Sequence, residues 1–123
     1  MNKLDRFCEA IWSFEGWAPG GRSYRNSNPG NLRRSVIQSG TSGGYAVFDT
    51  FAHGWAALIA DVTSKCSGRT ATKLTPQSTI KEFFEVYAPA ADSNHPLAYA
   101  RYVANRANLS IEDTLGSLLE PEA

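Results

Sequence analysis

Cysteine is scarce, with Cys8 and Cys66 the only two among 123 residues. A pair cannot build the disulfide framework of a small secreted scaffold, and no Cys/His spacing resembles a zinc site. Both fall on the apolar faces of predicted helices and read as buried thiols, with a bridge between them left open. Histidine is equally rare. His53 and His95 stand alone and read as surface or capping residues rather than metal ligands, so neither a metal nor another cofactor is expected. Net charge is missing too, because 12 Lys and Arg balance 12 Asp and Glu. Bulk electrostatics therefore point neither to nucleic acid nor to an anionic membrane. No apolar run approaches the length of a membrane span. The N-terminal MNKLDRFCEAIW carries Lys3, Asp5, Arg6 and Glu9 and has no h-region, so a signal peptide is not expected. Synthesis in the cytoplasm follows as an expectation, with any later export assisted by another component.

What is present suits one globular domain over residues 1–123, since 42% hydrophobic and 20% charged residues are ordinary proportions. The charge is unevenly placed. Residues 16–48 hold Arg22, Arg25, Arg33 and Arg34 with no acid, whereas the acidic tail 109–123 holds Glu112, Asp113, Glu120 and Glu122 with no base.

The hydrophobic pattern is mostly helical. Leu4, Phe7, Cys8, Ile11 and Trp12 recur at helical spacing, and Gly16 with the following APGG ends that helix near Glu15. Residues 16–44 read as a long loop punctuated by NSNPGN and SGTSGG, with a short hairpin expected around SVIQ and YAVF. Phe51, Trp55, Leu58, Ile59 and Val62 mark a second helix ending near Cys66. SGRTATKLTPQS then links to a third, opened by a Thr79/Glu82 capping box and faced by Ile80, Phe83, Phe84 and Tyr87. Pro96 suits the first turn of a fourth helix over 96–108, and Ser110 with Asp113 predicts a short last one. The fold class expected is mainly α, of about five helices with one early loop and a small hairpin.

Glu15 is the chemically loaded residue. It continues the apolar stripe of the first helix, four residues after Ile11, with Phe14 and Trp17 beside it. Desolvation and the negative end of the helix dipole both disfavour its charged form, which suits a general acid near neutral pH. A helix-end glutamate paired with Arg22 or Arg25 is the structural alternative. The loop that follows offers Asn28 and Asn31 as donors and acceptors for sugar hydroxyls and amides, and Trp17, Tyr24, Tyr45 and Phe48 as flat apolar faces. NPGN is also a good turn in its own right.

FEG at a helix end, NPGNLR, VFDTFAHGWAAL and FFEVYAPAADSNHPLAYARYV, in this order, resemble the small phage and bacterial lysozyme-like lytic enzymes. Those enzymes are related to soluble lytic transglycosylases and goose-type lysozymes. The resemblance spans roughly residues 5–110. It implies a lysozyme-like α+β domain acting on peptidoglycan, with Glu15 donating a proton to the glycosidic oxygen. It also implies that Asn28, Asn31 and Arg33 shape the cleft wall, and that Phe48 and Thr50 face the cleft. Tyr87, Asn94 and Tyr99 complete the set. Some relatives carry a glutamate after Tyr-Ala-Pro where this chain has Asp92.

An inverting hydrolase needs a second carboxylate, and Asp49 and Asp92 are the candidates. Asp49 could instead cap the next helix, and Asp92 could be a turn residue. A lytic transglycosylase needs one acid/base, with a group of the substrate closing an anhydro ring, and the single prominent glutamate favours that route. The other class is a phage structural domain that holds glycan without cutting it. The expected partner is the peptidoglycan glycan strand, met by a monomer, with a holin or virion components as further partners and the cell wall as the place of action.

Overall fold

The computed structural model describes residues 1–122. Among the described residues five α-helices and one small antiparallel hairpin are the main elements, the mainly α class expected. α1 spans Lys3–Phe14, and the Asn2 side chain caps it by accepting the Asp5 N–H at 2.8 Å. It stops where Gly16 takes a positive φ of 70°. A single turn, α2 (Arg22–Arg25), interrupts the long loop. β1 (Gly40–Ser42) pairs with β2 (Tyr45–Val47). α3 spans Phe51–Cys66, α4 Ile80–Tyr87 and α5 Pro96–Ala107. The Thr79/Glu82 capping box is complete, and Pro96 occupies the first turn of α5. Among the described residues no helix is long and apolar enough to cross a membrane, and no three acidic, His or Cys side chains gather as a metal site.

The core lies where α1 packs on α5, α5 on α4 and α3 against α1. Phe7 meets Phe83 edge-on at 5.2 Å, and Ile11, Leu58, Val62, Ile80 and Val103 are fully enclosed around them. Cys8 and Cys66 are free and buried in this same core, and burial pushes both thiols upward in pKa. A second, smaller cluster of Leu32, Ala46, Phe48 and Ala57 lies under the hairpin, and Tyr87 packs against both clusters.

Two expectations fail locally. SVIQ is not a strand, because the Ser35 N–H donates to the Gln38 side chain at 2.8 Å and the Ile37 N–H to Ser35 Oγ at 3.3 Å. Local side-chain bonds thus outcompete a ladder there, and Val36 and Ile37 are left exposed. The strand starts later, at Gly40. Ser110 and Asp113 do not open a helix either. Their mutual bonds close a turn whose carbonyls are already used, since Asp113 O accepts from Ile80 N–H and Ile111 O from Lys81 N–H. This sews the C-terminal segment to the start of α4, so Leu115 and Leu118 are buried rather than trailing. A 3₁₀ turn follows at Gly116–Leu119. Glu122 pairs with Arg6.

The early loop is held by Asn28, which is fully buried. Its Nδ2 donates to Leu32 O at 2.9 Å and Ala46 O at 3.0 Å, while Oδ1 accepts from the Leu32 N–H at 2.9 Å. Asn28→Ala leaves Leu32 N–H and Ala46 O buried without partners, which costs about 3 kcal/mol. A urea or thermal melt should show that loss, whereas an unchanged midpoint would mean that the loop closes without the amide.

Candidate active site

A cleft of about 330 Å³ opens between the end of α1, the loop after Gly30, the hairpin and the α4–α5 connection. Glu15 enters it as the C-cap of α1, because the helix stripe that buries Phe7 and Ile11 continues to this position. Tyr99, on α5, donates its hydroxyl to Glu15 Oε2 at 2.6 Å. The Tyr99 ring is fixed in turn by stacking on Phe14 at 3.7 Å and on Phe84 at 4.5 Å.

Burial raises the pKa of Glu15, and this outweighs the Tyr99 hydroxyl, the neighbouring Asn31 side chain and the Arg22 charge, which all favour the ionised form. No ion pair within 4 Å involves Glu15 among the described residues; the pairs are Arg6–Glu122, Asp61–Lys65 and Glu9–Arg106. The structural alternative, a salt bridge to a loop arginine, is therefore not formed. Burial also pushes Tyr99 and Tyr87 well above the usual phenol range, so both act as donors.

The opposite wall is built by close approach. A Cβ on Gly30 would sit 2.6 Å from Leu58 Cδ1 and 2.8 Å from the Tyr87 hydroxyl, which donates to Gly30 O at 2.7 Å. Asn31 follows in the left-handed region, at φ 50°, and lines the cleft with its Oδ1 buried and unpartnered. Arg33 also lines the cleft, and its guanidinium lies over the Tyr45 ring at 4.7 Å. Arg22 approaches the same ring at 4.1 Å. Hairpin and loop are thus clasped by two cation–π contacts.

Of the residues singled out in the sequence, Glu15, Asn31, Arg33, Tyr45, Tyr87, Asp92, Asn94 and Tyr99 come together on this cleft. Other flagged residues do not line it. Asn28 is a buried brace with every polar atom used internally. Phe48 is 3% exposed and belongs to the core beneath the hairpin. Thr50 caps α3 by accepting the His53 N–H at 3.1 Å. Asp49 is exposed and, with Thr50 as the cap, does not cap α3 either. Trp17 and Tyr24 pack in a separate aromatic group with Trp12 and Phe51.

Arg34, of the loop's four arginines, also lines the cleft, and sequence reasoning missed two charged lining residues, Asp61 and Lys65. Lys65 Nζ donates to both Asp61 oxygens, at 2.6 and 2.7 Å, and lies over the Tyr87 ring at 5.7 Å. An acid four residues before a lysine on a helix was the available signal. It says nothing of where the pair points.

The electrostatics of Glu15 yield a stability test. A carboxyl whose folded pKa is raised is harmless below its unfolded value of about 4.3 and costs stability as pH rises through the folded value. Glu15→Gln should match the parent in acid and be the more stable of the two at pH 8. Denaturant midpoints at both pH values check this; a weaker variant at pH 8 would mean that the Tyr99 and Arg22 contributions dominate.

Scans against protein-family models, curated proteins and solved structures returned no match to this chain, so its chemistry is read from the cleft itself.

Proposed function

We propose that this protein cleaves the β-1,4 bond between N-acetylmuramic acid and N-acetylglucosamine in peptidoglycan, with Glu15 as general acid and base. One observation carries the reading: a glutamate at a helix C-terminus, raised in pKa by burial, free of ion pairing and oriented by a buried tyrosine hydroxyl in a polar cleft. The motif resemblance supports it independently. Arg33 and Asn94 on the cleft offer donors for sugar hydroxyls, and the unpartnered Oδ1 of Asn31 accepts from a substrate N–H or O–H.

Protonated Glu15 donates to the bridging oxygen as the bond to C1 breaks. In the transglycosylase route a hydroxyl of the same sugar closes on C1, and its proton returns to the Glu15 carboxylate. No water is consumed, and the product is an anhydro sugar. Tyr99 holds the carboxyl through both halves, favouring the ionised form once the proton has left.

A second reading is an inverting hydrolase, favoured by Asp92, an exposed carboxylate on the same cleft. Asp61 is less suited to activating water, because Lys65 occupies both its oxygens. Mass spectrometry of fragments from purified peptidoglycan separates the routes: anhydro-muramyl ends are expected, and reducing ends heavier by one water would establish the hydrolase. Glu15→Gln should lower wall cleavage at least about 100-fold, the scale of general acid catalysis. Asp92→Asn should cost no more than about tenfold, and a loss as deep as that at Glu15 would name Asp92 as the base. Retained activity in Glu15→Gln would remove the proposal.

Tyr99→Phe provides a sharper test of the proton. The ring stacking survives while the donor that favours ionised Glu15 is lost, so the folded pKa rises further. Activity that requires protonated Glu15 declines as pH rises through that value. The alkaline limb of the kcat/KM profile should therefore move to higher pH in the variant, and an unmoved limb would mean that another group sets it.

A further inference from the structure

The Ser35–Gln38 turn follows Arg33 and Arg34 of the cleft wall and carries two aliphatic side chains into water. Val36 is fully exposed, and Ile37 is 48% exposed. The turn is not free to fold them away. Gln38 binds it to the hairpin, donating from Nε2 to Gly40 O at 2.9 Å and to Thr41 Oγ1 at 3.0 Å. Its Oε1 accepts the Ser35 N–H, and the Ser39 N–H donates to Val47 O at 2.8 Å. Polar groups are thus paired beneath a tip of two aliphatic residues.

The charge around this tip is positive. Arg33 and Arg34 precede it, and Arg69 shares a groove with Val36. None of the three is ion-paired among the described residues. Of the acids nearby, Asp61 is neutralised by Lys65, which leaves Asp49, two residues beyond the Val47 that pairs with Ser39. The acidic C-terminal segment is sewn to the start of α4, whereas the loop meets α4 at its far end, where Tyr87 bonds Gly30. A chain without net charge therefore keeps one cationic side with an aliphatic tip.

We infer that this turn docks on the surface of an anionic lipid bilayer, with Val36 and Ile37 entering the interface and Arg33, Arg34 and Arg69 meeting lipid phosphates. A soluble polyanion would use the arginines and leave the tip in water. A bilayer interface takes both, and it accepts a convex tip without a matching pocket. Guanidinium forks suit phosphate oxygens in particular. The contact is peripheral and reversible, because two side chains and three cations fall far short of a spanning helix. It does not depend on the proposed glycan chemistry.

Sedimentation with vesicles of phosphatidylglycerol and phosphatidylcholine in equal parts measures the binding, with pure phosphatidylcholine vesicles as the control. The protein should partition to the anionic vesicles, less so as salt rises, and not to the neutral ones. The Val36→Ser, Ile37→Ser double variant should bind at least about tenfold more weakly, the scale of one aliphatic side chain leaving lipid. Arg34→Ala should cost about fivefold, the scale of one cation at an anionic surface. Melting temperatures should hold in the double variant, because the bonds of the turn use neither aliphatic side chain. A nitrobenzoxadiazole label on Val36→Cys locates the contact, since Cys8 and Cys66 are buried. Its emission should brighten and shift to the blue on anionic vesicles, while the same label on Glu112→Cys stays unchanged. Absence of binding to anionic vesicles, or equal binding to neutral ones, would overturn the inference. Undiminished binding by the double variant would also overturn it, reducing the contact to one that any polyanion satisfies. A Val36 label that does not respond would place the contact on another face and overturn it too.

Discussion

A carboxamide with no access to water holds the early loop in shape. Asn28 lies beneath the chain reversal at Pro29 and Gly30, and its amide must find partners there because leaving it unpaired would cost more than the bonds return. It finds them on Leu32 and Ala46, one on each side of the gap between loop and hairpin. The backbone adds Ala46 N–H to Leu32 O and Phe48 N–H to Asn26 O. A segment rich in glycine and asparagine, which would otherwise fluctuate, becomes a wall. Asn31 and Arg33 face the cleft because the residues on either side of them are fixed.

Close backbone approach completes that wall from the helical side. The α3 helix has glycine at position 54, where a Cβ would lie only 2.0 Å from the Ser27 carbonyl oxygen. Gly30 permits the matching approach to Leu58. Helix and loop therefore touch through atoms that tolerate no side chain. Tyr87 fastens the arrangement, with its ring in both hydrophobic clusters and its hydroxyl on Gly30 O. Stability and site geometry share these contacts.

Opposed forces meet at Glu15. Burial and the helix C-terminus favour a proton, while the Tyr99 hydroxyl, Asn31 and Arg22 favour its departure. Under the proposed function the group gives and takes a proton in turn, and such opposition suits that role, because a strongly one-sided environment would trap it in one state. The stacked Phe14, Tyr99 and Phe84 rings keep the hydroxyl in place without adding charge.

Local order determined much of this. Helical periodicity located α1, α3, α4 and α5, because each must bury a stripe recurring every three or four residues. Thr79, Glu82, Pro96 and Gly16 marked ends because capping is settled within a turn of chain. The isolation of Glu15 on an apolar stripe was legible for the same reason. Tertiary structure alone decided which flagged residues share one cleft. Asn28 and Asn31 are the same residue type three positions apart, yet one is a buried brace and the other a cleft residue. Phe48 and Tyr45 also sit three apart, and one is core while the other meets two arginines. Asp61 and Asp49 could be told apart only once α3 was docked. Sequence spacing determines which residues share an element's face, but which face meets the core, and which the cleft, depends on partners distant along the chain.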